Sequence, residues 1–231
     1  MVAFSVAQAF RPAIAALKSC ATFYFVCALL LVAGCSRPAD SPPASAAAPA
    51  TPAVPAAAGN SPGRVEGKAP APTGSAAVVV VLEPRTEREF APQTDKPVMD
   101  QIGQTFGPEV LLVRTGQPVE FRNSDDTLHN VHVDHDETRE PAFNVAIPTG
   151  GTYTYSFKHD GFYRVGCDIH PSMAATIFSA TTPFVTLAEP DGRFTFDDVP
   201  PGAWTVTVFS AGKRLQREVD VRGGVASVTV E

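Results

Sequence analysis

From Ala76 onward apolar and polar residues alternate with a period of two, the pattern of half-buried strands. Val78 to Leu82 is a short apolar run. Val110 to Arg114 and Gln117 to Asn123 flank a Thr115-Gly116 turn, with Val119 and Phe121 on one face. Gly150-Gly151 precedes Thr152 to Phe157, where Tyr153, Tyr155 and Phe157 share a face. Asp160-Gly161 then turns the chain into Phe162 to Cys167, where Tyr163, Val165 and Cys167 share another. Cys167 therefore ends a strand and points where the core aromatics point. A second series follows: Phe184 to Ala188, Arg193 to Phe196, Ala203 to Phe209, Leu215 to Val221 and Val225 to Val230, punctuated by Pro190-Asp191-Gly192 and Pro200-Pro201-Gly202 turns. No stretch keeps a helical period. The expectation is an all-β chain: a Greek-key β-sandwich over 76–180 and a small C-terminal β-sandwich module over 181–231. That module, about 50 residues long, is small for an independent core and is expected to pack on the first domain. Val78 to Leu82 suits either domain; in the module it would make the larger domain an insertion.

The alternation is absent before Ala76. Many of the 22 prolines fall there: Ser36 to Ser75 holds 12 Ala and 9 Pro, no aromatic, and Val54 and Val65 as its β-branched aliphatics. Such a segment buries too little apolar area to offset its ordering entropy, so 35–75 is expected to be a disordered tether. At about 3.1 Å per residue it would reach on the order of 100 Å. Residues 1–34 read as an export signal: Arg11 and Lys18 in a positive region, Ala21 to Leu31 apolar, then small residues. Val32-Ala33-Gly34-Cys35 resembles the lipobox of bacterial lipoproteins. That resemblance implies lipidation of Cys35 and, with Ser36 next, an outer-membrane anchor facing the periplasm. An ordinary signal peptide with an incidental Cys35 is the alternative. Losing two of 18 basic residues and none of 24 acidic ones takes the net charge from −6 to about −8, which disfavours nucleic acid and anionic lipid surfaces as partners.

Cysteine usage changes the picture further. Cys20 and Cys27 leave with the signal and Cys35 takes lipid, so Cys167 stands alone in an oxidising compartment, where a bound metal would account for an unpaired thiol. Cys167-Asp168-Ile169-His170-Pro171-Ser172-Met173 places thiolate, imidazole and thioether donors within seven residues. That mixture favours copper over calcium or magnesium. His129, at a strand start after the polar turn Ser124 to Thr127 and Leu128, is the candidate fourth donor. One thiolate and two imidazoles in a near-trigonal plane with a long axial thioether suit both Cu(I) and Cu(II). Zinc is the nearest competitor, since His132 and His135 lie nearby, but residues three apart on a strand face opposite ways. His159 sits in a turn and reads as solvated. Cys167 with His170 as a nucleophile and base would leave Met173 without a purpose and lacks a Gly-rich oxyanion loop. Met173 as core filler stays open. Asp134 to Glu140 reads as an exposed loop, or as a docking patch for a basic redox partner.

On these residues, 98–180 resembles the cupredoxin family, the plastocyanin and amicyanin group: His129-Asn130-Val131 upstream, then Cys-x2-His-x2-Met with Pro171 after an aromatic-rich strand. The resemblance implies one type 1 (blue) copper per chain on His129, Cys167, His170 and Met173, with Asn130 tying the ligand loops together by hydrogen bonds. It implies one-electron transfer near His170, with no enzymatic activity, to a partner such as a cytochrome or dehydrogenase. Ser172 stands where such loops often carry a bulky aromatic. The run Asp191 to Phe196 with Val199-Pro200-Pro201-Gly202 and Trp204-Thr205-Val206 resembles a transthyretin-like, carboxypeptidase-regulatory-like β module. A periplasmic copper buffer, delivery protein or sensor fits the same residues, and an adhesion or scaffold protein with a vestigial site is a third class.

Overall fold

A computed structural model describes residues 61–74 and 76–231; the expected signal peptide, Cys35 and the tether up to residue 60 lie outside the described residues. Strands β1 (Gly63–Lys68) and β2 (Val79–Pro84) come first. Nine more follow: β3 (Val98–Ile102), β4 (Thr105–Gly107), β5 (Val110–Arg114), β6 (Pro118–Asn123), β7 (His129–His135), β8 (Pro141–Ile147), β9 (Thr152–Ser156), β10 (Gly161–Gly166) and β11 (Ala174–Ala180). The last five are β12 (Val185–Leu187), β13 (Arg193–Val199), β14 (Gly202–Ser210), β15 (Lys213–Val221) and β16 (Gly224–Thr229). No helix occurs among the described residues, and the all-β expectation holds.

Strands β3 to β11 form a central sandwich, with sheet β5-β11-β10-β7-β8 over sheet β4-β3-β6-β9. Period-two alternation sends Met99, Phe121, Val131, Phe157 and Ile177 into one shared core, all of them fully buried. Each such side chain contributes about 1.5–3 kcal/mol relative to exposure. The sheets are mixed rather than purely antiparallel: β5 runs parallel to β11 and β3 parallel to β6. Parallel neighbours need a crossover, and here β3 reaches β6 by way of β5 in the opposite sheet.

The second sandwich pairs sheet β12-β2-β14-β15 with sheet β13-β1-β16 around Val65, Leu82, Trp204 and Val206. Two sequence expectations change here. Gly63–Lys68 is a strand, not tether, pairing antiparallel with β13 and parallel with β16. Strand β2 hydrogen-bonds β12 and β14, so the module is β1, β2 and β12 to β16, with the central sandwich inserted between β2 and β12 in place of a boundary at 180. The reason lies in β2, which is buried on both faces. Val80 and Leu82 enter the module core, whereas Val79 and Val81 join Phe178 and Ala180 in a third apolar cluster between the sandwiches. Phe162, Phe178 and Phe209 meet there with ring centroids 4.7–5.4 Å apart.

This packing leaves the ligand end of the central sandwich clear. Along the β10–β11 pair, Phe162 opposes Phe178 near the module, while Gly166 opposes Ala174 at the other end, about 13 Å further along a strand. Cys167 follows Gly166 directly, Met173 precedes Ala174, and His129 begins β7 beside them.

Candidate metal centre

Strand alternation builds the centre. His129, Val131 and Val133 of β7 are buried and point inward, as do Tyr163, Val165 and Cys167 from β10 onward. The loop after Cys167 then doubles back: the Met173 amide donates to the His170 carbonyl at 3.0 Å, which brings His170 over Cys167 and returns Met173 to the core. Met173 is buried in the same cluster as Cys167. His129, Cys167 and His170 are thereby brought together, with donor atoms within 4.8 Å of one another.

The donor triangle can be tested against a metal. The two Nδ1 atoms lie 2.9 Å apart, and each is 4.0 Å from Cys167 Sγ. A point about 2.1 Å from all three atoms lies in their plane, within the roughly 2.0–2.3 Å range of imidazole and thiolate bonds to a first-row ion such as zinc. Donor chemistry then decides the metal: two imidazoles and one thiolate in a trigonal set, beside a buried thioether, suit copper. The residues present fit the ion.

Residues around the triangle hold it in shape. Asn130 is buried; its Oδ1 accepts the amides of Asp168 at 2.7 Å and Ile169 at 3.3 Å, and the Cys167 thiol can donate to the same oxygen at 3.2 Å. Its Nδ2 donates to Asn144 Oδ1 and Asp168 Oδ2, each at 2.9 Å. Asn130 thus ties the start of the ligand loop to β7 and β8. The amide of His170 donates to Cys167 Sγ at 3.4 Å. Asp168 also accepts from Asn144 Nδ2 at 2.8 Å and pairs with His132 Nδ1 at 2.9 Å. The hydrogen bond from His132 holds the Asp168 carboxyl below its ordinary range, and the same bond raises the His132 imidazole above its own.

Sequence reasoning missed Asp125, Asn144, Asp168 and the supporting role of His132. Asp125 Oδ2 lies 2.8 Å from His129 Nε2, while its carboxylate also accepts the amides of Gly103 at 2.6 Å and Gln104 at 2.9 Å. The Gln104 amide, with lesser help from Gly103 and His129, keeps Asp125 below the usual carboxylate range. An ionised carboxylate only accepts, so His129 Nε2 carries the hydrogen and Nδ1 presents its lone pair to Cys167 and His170. The spacing of Asp125 four residues before His129 was the available signal, hidden in what reads as a solvated turn. Of the remaining histidines, His132 faces outward to Asp168 and Asp134, His135 packs edge-on to Tyr163, and His159 is exposed. The run Asp134 to Glu140 is the end of β7, a turn and the lead into β8, with Arg164 close to Asp134 and Asp136.

One family match agrees with the geometry. Residues 96–178 match the family of copper binding proteins described as plastocyanin/azurin. No curated protein sequence matches the chain. Similar solved structures include a Cu-containing nitrite reductase from Thermus scotoductus SA-01, 27% identical over 42% of this chain, with a TM-score of 0.35; the matched part spans 25% of that enzyme. A purple cupredoxin from Nitrosopumilus maritimus is 20% identical over 37% of this chain and 100% of its own, with a TM-score of 0.34. A reduced amicyanin variant is 21% identical over 43% and 98%, with a TM-score of 0.35. The family match and the donor triangle together support a cupredoxin-type copper-binding domain over residues 96–178, whose compact His129, Cys167 and His170 set is consistent with a single type 1 copper site among the described residues.

Proposed function

We propose that the protein is a one-electron carrier, anchored by lipid on Cys35 to the outer membrane and working in the periplasm. The observation that carries this reading is the asymmetry of the ligands: His129 and Cys167 are buried, whereas His170 is half-buried, and Ile169 and Leu128, the chain neighbours that precede His170 and His129, are exposed (46% and 49%). Copper bound there supplies a one-electron couple whose two oxidation states tolerate the same nitrogen and sulfur arrangement. The chain's part is to hold that arrangement still. Asn130 and Asp168 pin the loop, the core keeps water from Cys167, and Met173, buried in the same cluster as Cys167, would supply a thioether as the fourth donor. A half-buried His170 with exposed apolar Ile169 beside it in the chain suits docking of a cytochrome or dehydrogenase, since apolar contact areas desolvate at low cost. With Met173 as fourth donor, four protein donors would leave no open position for a substrate, which favours a carrier over an enzyme.

The test is stopped-flow mixing of the copper-loaded protein with a reduced periplasmic-type cytochrome. Rapid bleaching of the visible band with copper retained supports the carrier. Slow exchange, with the ion itself passing to a copper-free acceptor, overturns it in favour of buffering or delivery.

A further inference from the structure

The β3–β4 hairpin turns through Gly103 and Gln104, both at positive φ (60° and 55°), the backbone pattern of a two-residue type I′ turn. Such a turn presents its amides to one side. Here they meet Asp125: Gly103 N–H donates to Oδ1 at 2.6 Å and Gln104 N–H to Oδ2 at 2.9 Å. The Asp125 amide in turn donates to Asn123 Oδ1 at 3.0 Å, and Asn123 Nδ2 donates to the carbonyls of Thr127 and Ile147, each at 2.8 Å. Asp125 is therefore fixed from three sides before it reaches His129. Its side chain is 12% exposed and that of His129 is fully buried, so the bond between Oδ2 and Nε2 is shielded from water.

We propose that Asp125, held by the Gly103-Gln104 turn, is a positioning residue that fixes His129 with Nδ1 bare and biases the centre toward Cu(II). The inference rests on the copper reading. A hydrogen bond from Nε2 to an anion raises the basicity of Nδ1, and a fixed negative charge one residue away favours the more highly charged ion. Neither effect needs Asp125 to touch the metal.

Four forms of the full protein test it: wild type, Asp125→Asn, Asp125→Ala and Asp125→Glu. In the copper-free state, nitrogen-detected NMR of His129 should report the Nε2–H tautomer in wild type and a mixture in Asp125→Ala. With copper, Asp125→Asn keeps the shape of the side chain and loses its charge. Cu(II) affinity should then fall about tenfold more than Cu(I) affinity, a rise in reduction potential of about 59 mV for one electron. The visible band should survive in Asp125→Asn, and Asp125→Glu should restore part of the potential. Unchanged tautomer and potential in folded variants would overturn the assignment. If wild type takes up no copper, the copper reading itself falls, and the tautomer of His129 alone decides the role of Asp125.

Discussion

Replacing Asn130 with alanine removes the tie between the ligand loop and strands β7 and β8. The side chain is 6% exposed and accepts the amides of Asp168 and Ile169 while donating to Asn144. Each neutral hydrogen bond is worth about 1 kcal/mol net, and the 3.3 Å contact less, so the loss is about 2–3 kcal/mol. The bond to the Asp168 carboxylate is left out of that sum because Asp168 is exposed and water replaces Asn130 there. For a protein of this length about 2–4 °C accompanies each kcal/mol, so the copper-free Asn130→Ala protein should melt about 5–10 °C below wild type. Circular dichroism melts of both proteins, with chelator present, measure this directly. Copper-loaded Asn130→Ala should also show a weaker and shifted thiolate band, because the Cys167 loop is no longer pinned. Asn130→Asp supplies the contrast: it keeps the acceptor for the two amides but sets a second carboxylate against Asp168. A melting point within about 1 °C of wild type for Asn130→Ala, with an unchanged band, would refute the claim that Asn130 holds the loop.

Two further outcomes follow from the same structure. Gly67→Ala should destabilise the protein by more than about 1 kcal/mol in a urea titration, because an added Cβ would overlap the Phe194 ring and the Val228 carbonyl; no change would mean that Gly63–Lys68 is not a packed strand. The His132–Asp168 pair makes the copper-free fold pH-dependent. A histidine whose folded pKa is raised above 6.5 adds stability that is complete below that value and fades as pH rises through the raised one. Asp168, depressed when folded, adds its share above the carboxylate range and loses it only in acid. The melting-point gap between wild type and His132→Gln should therefore be larger near about pH 6 than near about pH 9, and small in both because the pair is half-exposed and screened by salt. An equal gap at both pH values would sink the pairing.

Sequence pattern reads well where one face of a strand is wet and poorly where neither is. Strands β5, β6, β9, β10 and β14 to β16 follow period-two runs to within a residue or two, because alternation survives on a half-buried sheet. Strand β11 did not stand out: Ile177, Phe178, Ser179 and Ala180 are all buried, since the module covers the outer face, so no polar beat remains. Strand β3 was obscured by Gln101, a fully buried polar residue inside an otherwise apolar face. Strand β1 carries one apolar anchor, Val65, and its partners lie more than a hundred residues away, which no local pattern encodes. At the metal centre, donor chemistry and spacing pointed to His129, Cys167 and His170, because few combinations of soft and borderline ligands occur so close together. The carboxylates behind them, Asp125 and Asp168, look like ordinary solvated turn residues until the fold supplies the Gly103-Gln104 amides and His132 as partners.

Optical and EPR spectra of the copper-loaded protein decide whether His129, Cys167 and His170, with Met173, form a type 1 copper centre. Copper-loaded protein should carry one copper per chain and show an intense visible thiolate-to-Cu(II) band with narrow copper hyperfine splitting, and Cys167→Ser should lose both. A colourless Cu(II) form with ordinary tetragonal EPR parameters, unchanged by Cys167→Ser, would contradict it.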